Sequence, residues 1–238
     1  EDDGQSHAIN KGLEISTGEI WNWINSDDFL VPYSLSKIGE EIKDYDALVA
    51  TGWRLNDSRA RRHATKGFTC QKLIIGHAYS EGCMFTQQAI WLRTEGVRKC
   101  GGIDNSIHYA MDRDLYIRYL KKNRAKVKYT NATVAVFRVH DQSKTGKADN
   151  HFLKSQVRIL QKLLQNDDFS ELEALIRRSM KRVEWKIKVK EVRYSDRPTW
   201  QKILVLFIEI LKDPAIRFDR PTLGVIRRLL TFCVQSKP

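Results

Sequence analysis

The sequence has no Cys-x-x-Cys pair. Its four cysteines, Cys70, Cys83, Cys100 and Cys233, are scattered, which indicates neither a zinc site nor a disulfide framework and makes a reducing cytoplasm the default setting. Long apolar runs are missing too. The longest, Ile203 to Ile208, is soon interrupted by Glu209 and Lys212, well short of the roughly 20 residues a spanning helix needs. No transmembrane helix is expected. Internal repeats and low-complexity segments are absent, and Glu1-Asp2-Asp3-Gly4 opens without an initiator Met, a signal peptide or an apolar strand, so we expect the beginning of a domain to lie upstream.

What remains is a folded, basic chain. Hydrophobics at 42% and aromatics at 10% of 238 residues suffice for one sizeable core, or for one domain with an appended helical segment. The net charge of +12 is unevenly spread: residues 151–238 hold 19 Lys and Arg against 10 Asp and Glu, a net of +9, leaving +3 for the first 150. A surface of that sign attracts nucleic acid, anionic lipid or phosphate-bearing substrates.

The chain is organised around Trp21-Asn22-Trp23-Ile24-Asn25-Ser26-Asp27-Asp28, which predicts a buried strand stopping on two adjacent carboxylates. Open α/β sheets bind ligands at such strand ends. Adjacent carboxylates repel, and a hard divalent cation between them and a phosphate relieves this; a solvated Asp-rich turn is the alternative. Upstream, Ser6 to Leu13 predicts a short helix with Ser6 as its cap. Downstream, Leu35, Ile38 and Ile42 predict an amphipathic helix over 34–44, and Asp46 to Trp53 a second strand. This alternation argues for an α/β layer structure. Residues 54–82 are polar and basic, with Arg59, Arg61, Arg62, His63 and Lys66 close together, and predict a long irregular excursion. That basic cluster suits either a phosphate-bearing ligand or plain solvent.

Thr86 to Leu92 is extended, then comes a Gly101-Gly102 turn and a helix over 110–122 opening on Asp112 and Asp114, where acidic residues suit the helix dipole. Thr133 to Val139 predicts a strand ending at His140. From about residue 150 the pattern is helical, over 151–165, 169–190, 199–211 and 221–234, which divides the chain into 1–148 and a basic helical extension, 149–238.

Together these stretches resemble the family 2 glycosyltransferases of GT-A fold. Asp3-Gly4-Gln5-Ser6-His7-Ala8-Ile9-Asn10-Lys11-Gly12-Leu13 is similar to the family's "DgGqsdAiNkGl" segment, with His7 where Asp is usual, and Trp23 to Asp28 resembles its variant of the DXD metal motif. Gln87 to Arg93, Gly101 to Asp104 and Tyr109 to Leu115 are similar to "qqatfwrr…vGGld…yamDydlwlr", and Phe137-Arg138-Val139-His140 resembles the family's late His. The match covers about residues 1–145. It departs from the family at Met111, where many members place Glu, and in having no counterpart of the first β-α-β unit that holds the nucleotide base.

The resemblance implies an α/β, Rossmann-like mixed sheet and an inverting transfer of sugar from a nucleotide-diphospho-sugar, UDP-linked by preference, to the hydroxyl of a sugar or lipid-linked glycan. It implies Mn²⁺ or Mg²⁺ held by Asp28 and His140, Asp112 as catalytic base, and donor contacts from Asp27, Asn10, Lys11 and Gly4. Acceptor contacts are expected from Trp91, Tyr109, Gly102 and Asp114, with Trp53 as a further stacking candidate. For Asp112 the positive helix end predicts a lowered pKa and an ionised side chain. Plain alternatives stay open at each position: a helix cap for Asp112, a surface hydrogen bond for His140, core packing for the aromatics. Trp185, Trp200 and Phe207 among the basic helices would suit an anionic membrane surface, as in a peripheral enzyme of cell-surface polysaccharide or glycolipid synthesis. The rival readings are a non-catalytic fragment and a nucleic-acid-binding module, and the family resemblance argues against nucleic acid as a partner.

Overall fold

A computed structural model describes residues 2–56, 59–76, 81–140, 143, 150–218 and 220–235. The chain forms two compact units, 1–149 and 150–238. The first unit is built on a six-stranded mixed sheet of β1 (Ile20–Trp21), β2 (Phe29–Leu30), β3 (Ala47–Asn56), β4 (Arg59–Ala64), β5 (Ile90–Arg93) and β6 (Val127–Arg138), in the order β1-β5-β3-β6-β2 with β4 paired to β3.

Strand β3 (Ala47–Asn56) is its axis, paired in parallel with β6 (Val127–Arg138) along one edge. Its other edge takes β5 (Ile90–Arg93) beside Ala47–Val49 and then β4 (Arg59–Ala64) beside Thr51–Asn56, both antiparallel. The Ala47–Gly52 stretch is buried throughout, as befits a central strand covered on both faces. Ile38 and Ile42 from the helix region α2 (Ser34–Glu41) pack on Leu48, Ala50, Ala89, Trp91, Val134 and Ala135. Leu35, on the predicted stripe, is exposed.

Two predicted elements come out differently. The strand expected before the carboxylates shrinks to β1 (Ile20–Trp21), which pairs with β5; Phe29–Leu30 (β2) pairs with β6, and residues 22–28 loop between them. Asn22 and Asn25 spend their side chains on local and cross-chain hydrogen bonds, the competition with a ladder typical of Asn. The expected irregular excursion over 54–82 is instead ordered where described: β3 runs on to Asn56, β4 returns as a basic edge strand, and α3 (Cys70–Ile75) follows with Thr69 capping it through Lys72 N. Charged side chains on an edge strand disfavour pairing with another sheet.

The first helix, α1 (Gln5–Ile15), starts from Gly4 and not from Ser6. Gly4 has φ +111°, a conformation glycine reaches without a Cβ clash. Ser6 lies one turn inside, buried, with its hydroxyl within hydrogen-bond distance of the Ile107 carbonyl (3.0 Å) and the Met111 sulfur (2.9 Å). Helix α4 (Thr94–Lys99) leads to the Gly101-Gly102 turn and α5 (Met111–Asn123) follows. Acidic residues open α5, Lys121 and Lys122 close it, and Arg124 ends it in a left-handed conformation, all favourable to the helix dipole or its capping.

The second unit holds α6 (His151–Leu164), α7 (Glu173–Tyr194), α8 (Thr199–Lys212), a short α9 (Pro214–Arg217) and α10 (Arg220–Gln235). Its core joins Trp185, Val189 and Val192 of α7 to Leu206 and Ile210 of α8 and Val225 of α10. The indole of Trp185 donates to Thr222 Oγ1 at 2.8 Å, so its one polar group is satisfied in burial. No described helix is long and apolar enough to cross a membrane.

Candidate active site

Asp27 and Asp28 follow the Asn25–Asp28 turn, closed by Asp28 N donating to Asn25 O at 3.0 Å. Because β2 pairs with Ala135 and Val136, the turn lies at the C-terminal end of β6, where the parallel pair β3–β6 ends, and Val139 N donates to Leu55 O at 2.8 Å. The two carboxylates have different surroundings. Asp28 is buried and filled by protein donors: Oδ1 accepts from Arg138 N at 2.9 Å, and Oδ2 from Asn25 Nδ2 at 3.0 Å and from Gln88 Nε2. Asp27 is about one-third exposed and meets His140 Nε2 at 3.0 Å. The late histidine therefore pairs with Asp27, while Asp28, expected together with His140 as a metal ligand, holds the turn to β6.

Among the described residues no group of three or more His, Cys, Asp or Glu side chains gathers as a metal cage. Two side chains suffice in a nucleotide site, since Mg²⁺ usually takes one or two carboxylates and completes its shell with substrate phosphates and water. Asp27 and His140, half open and oxygen- and nitrogen-bearing, fit that mode.

The second carboxylate pair opens α5. Asp114 is buried and receives both Nε (2.9 Å) and Nη2 (2.6 Å) of Arg118, which also donates to the carbonyls of Cys100 and Gly102. Its expected acceptor contact gives way to this ion pair, which clamps α5 to the glycine turn. Asp112 lies beside it with one bond, its Oδ1 accepting from Arg113 N at 2.7 Å. Burial pushes the Asp112 carboxyl up from the ordinary aspartate value, against the smaller downward pull of backbone N–H groups and the Arg113 guanidinium. The expected lowering is reversed because desolvation outweighs the helix end. A raised pKa makes a stronger base.

Helix α1 ties the two carboxylate regions together at its N-terminus. Gln5 Nε2 donates to Asn25 Oδ1 at 3.0 Å on the Asp27–Asp28 turn, while the next residue, Ser6, reaches Ile107 and Met111 beside Asp112. Gln87 and Gln88, in a 3-10 turn before β5, do the same from the other side. Gln88 holds Asp28; Gln87 Nε2 donates to Asn22 Oδ1 (2.7 Å) and Trp23 O (2.8 Å). Tyr116, one turn beyond Asp112, is buried with its hydroxyl beside the buried Gln87 side chain. Burial and the Asp112 charge raise the Tyr116 pKa, so the phenol stays neutral.

The remaining predicted positions divide plainly. Trp91 is 8% exposed and belongs to the core around Leu48 and Ile38; its alternation in β5 points it inward, so it cannot stack on an acceptor. Asn10 gives its amide to the glycine turn, donating to Ile103 O (2.7 Å) and Asn105 Oδ1 (2.8 Å) and accepting from Ile103 N (2.9 Å), and is not available to a donor. Gly102 is buried at φ +66°, and a Cβ there would meet Asn10 Oδ1 at 2.7 Å; it shapes the turn and offers no contact surface. Lys11 is half exposed and paired with Asp2 at 2.8 Å. Tyr109 and Trp53 are partly buried. The residues sequence reasoning missed are Asn25, Gln87, Gln88 and Tyr116. Both glutamines stood in the quoted Gln-Gln-Ala-Ile-Trp motif, but nothing local marks a glutamine as the partner of a carboxylate 60 positions away.

Comparison with known proteins bears on the fold that carries these residues. The model of the family described as Glycosyl transferase family 2 matches residues 1–102. An uncharacterized glycosyltransferase of Rickettsia typhi is 24% identical over 162 residues, 63% of this chain and 49% of the relative, so the chain spans about half the length of the curated relative it matches. The crystal structure of residues 1–349 of S. aureus TarS aligns with a TM-score of 0.56 at 14% identity, covering 86% of this chain and 59% of that one. The same TarS region in complex with UDP-GlcNAc aligns at 0.50 and 14% identity, covering 82% and 54%. At that identity the structural likeness carries the α/β GT-A fold alone, and the similarity to the family 2 glycosyltransferase model lies within the first 102 residues.

Proposed function

We propose that the chain is the catalytic region of an inverting glycosyltransferase that moves a sugar from a nucleotide-diphospho-sugar to an acceptor hydroxyl. The observation that carries this reading is the division of each carboxylate pair into one side chain locked by the protein and one less engaged, Asp27 on the Asn25–Asp28 turn and Asp112 at the start of α5, regions joined by the N-terminus of α1. Asp27 and His140 would hold a divalent cation, which when bound supplies Lewis-acid neutralisation of the diphosphate leaving group. Asp28 keeps their turn at the strand end. The N-terminus of α1, opening at Gly4, presents backbone N–H groups suited to an anion beside that turn.

Asp112 takes the proton of the acceptor hydroxyl as its oxygen attacks the anomeric carbon. The bond from that carbon to the diphosphate oxygen breaks, and the electron pair leaves with the nucleoside diphosphate. A base on the face opposite the leaving group inverts the anomeric centre. UDP-GlcNAc bound to the structurally similar TarS favours a UDP-sugar as donor. A lipid-linked or other anionic acceptor in cell-surface polysaccharide synthesis is the acceptor class that the basic strand β4 favours.

The test is calorimetric titration of UDP, with and without Mn²⁺, into the folded protein. Binding that requires Mn²⁺ and disappears in Asp27→Asn and His140→Ala is the expected result. Folded protein that binds no UDP under either condition overturns the reading.

A further inference from the structure

Helix α8 is built inside out. Its core side, Leu206 and Ile210 with Val205, packs on α7 and α10. Lys202 Nζ is kept on the inner side, donating to Arg193 O at 3.1 Å. The opposite side carries Trp200, Leu204, Phe207, Ile208 and Leu211, at the i, i+4, i+7, i+8, i+11 spacing of a single helical face. All five are exposed, Trp200 and Leu211 at 63% and Phe207 at 57%. Exposed single apolar residues are ordinary, but five large ones in one stripe mark a binding surface.

We infer that this outward face of α8 lies on an anionic membrane surface. The charge of the unit argues for that occupant: residues 151–238 carry a net +9, and α7 alone has eight Lys and Arg against three Glu. A second copy would bring +9 against +9, and a nucleic acid gains nothing from Leu204, Ile208 and Leu211. Anionic headgroups satisfy the charge while the acyl boundary takes the stripe, the arrangement of helices that lie in the interface plane. Trp200 near one end, with exposed Arg197 and Tyr194 just before it, suits the headgroup level, where Trp and Tyr concentrate. Fourteen residues extend about 21 Å at 1.5 Å per residue, a length that lies on a bilayer and does not cross it. Trp185, grouped with these aromatics in the sequence, is buried in the helical core and takes no part.

The experiment is flotation of the full chain with vesicles of phosphatidylcholine containing phosphatidylglycerol, and with phosphatidylcholine alone, read without donor or acceptor so that it is independent of the transfer reaction. The chain should float with the anionic vesicles only. The double variant Leu204→Ser/Phe207→Ser, at exposed positions that leave the melting temperature unchanged, should weaken binding by about tenfold or more. Failure to float with anionic vesicles overturns the inference, as does a double variant that floats like the parent, which would reduce the contact to charge alone. A dimer in sedimentation that the same double variant dissociates would give the face to a second copy and overturn it too.

Discussion

Asp27–Asp28 and Asp112–Asp114 look alike in the sequence, two acidic residues close together, yet the fold uses them by one rule. In each pair the more buried member is consumed by the protein: Asp28 by Gln88, Asn25 and the Arg138 N–H, Asp114 by Arg118. The other is left with a histidine or with a neighbouring backbone N–H. The locked carboxylate fixes the segment around it, and the other keeps more of its oxygen lone pairs uncommitted. The comparison teaches that the acidic residue with the most partners is the least available to a substrate.

The sharpest way to break this comparison is to exchange the roles within the α5 pair. Asp112→Asn should leave the melting temperature and UDP binding in place and lower transfer by roughly 10²–10⁴-fold, the usual worth of a general base. Asp114→Asn should act through stability. It leaves the half-buried Arg118 without its countercharge, a loss of up to about 3–5 kcal/mol when one partner of a buried pair is removed, read by urea unfolding. A folded, stable Asp114→Asn protein without activity would reverse the assignment.

The second pair gives a smaller contrast. Asp28→Ala strands the donors of Gln88, Asn25 and Arg138, and each buried unsatisfied group costs about 1–3 kcal/mol, so the thermal midpoint should fall by several degrees. Asp27→Asn should barely move the midpoint and should abolish Mn²⁺-dependent UDP binding. Smaller again is Gly102→Ala. Its φ of +66° and the close Asn10 Oδ1 predict a loss of about 1–3 kcal/mol, with activity falling only as far as the turn beneath Asp112 is displaced.

The smallest effect is a displacement in pH. Since burial raises the Asp112 pKa, the base becomes protonated, and transfer falls, at a pH above the ordinary aspartate range as the solution is acidified. The acid limb of kcat/KM reports this pKa in the free enzyme. A limb at the ordinary aspartate value would mean that Asp112 is better solvated than its surroundings indicate.

The order of elements was largely legible because it rests on local signals, apolar periodicity, glycine turns and acidic residues opening a helix, while the mixed sheet followed from the family resemblance. The division of labour within each carboxylate pair was not. It is decided by Gln88, Arg138 and Arg118, partners whose relation to the aspartates exists only after the sheet is formed. The misreading of residues 54–82 has a similar cause. An exposed basic edge strand has no apolar alternation to announce it, since pairing with β3 supplies its order. Trp91 shows the opposite failure: an aromatic beside a functional motif invites a functional reading, and strand alternation sent it to the core.

The contacts that join α1, the Asp27–Asp28 turn and the end of β6 span most of the first unit: Asn10 to Ile103 is 93 positions, Asp28 to Arg138 is 110, and Asp27 to His140 is 113. Contacts of such separation bear the loop-closure entropy before they return any stability. A nascent chain can therefore pair β3 with β4 and β5 while Asp27 and His140 are still apart. During synthesis the Asp27–His140 pair forms as a late event, only after residue 140 has left the ribosome, and a chain halted shortly before that point would hold most of its sheet without that pair.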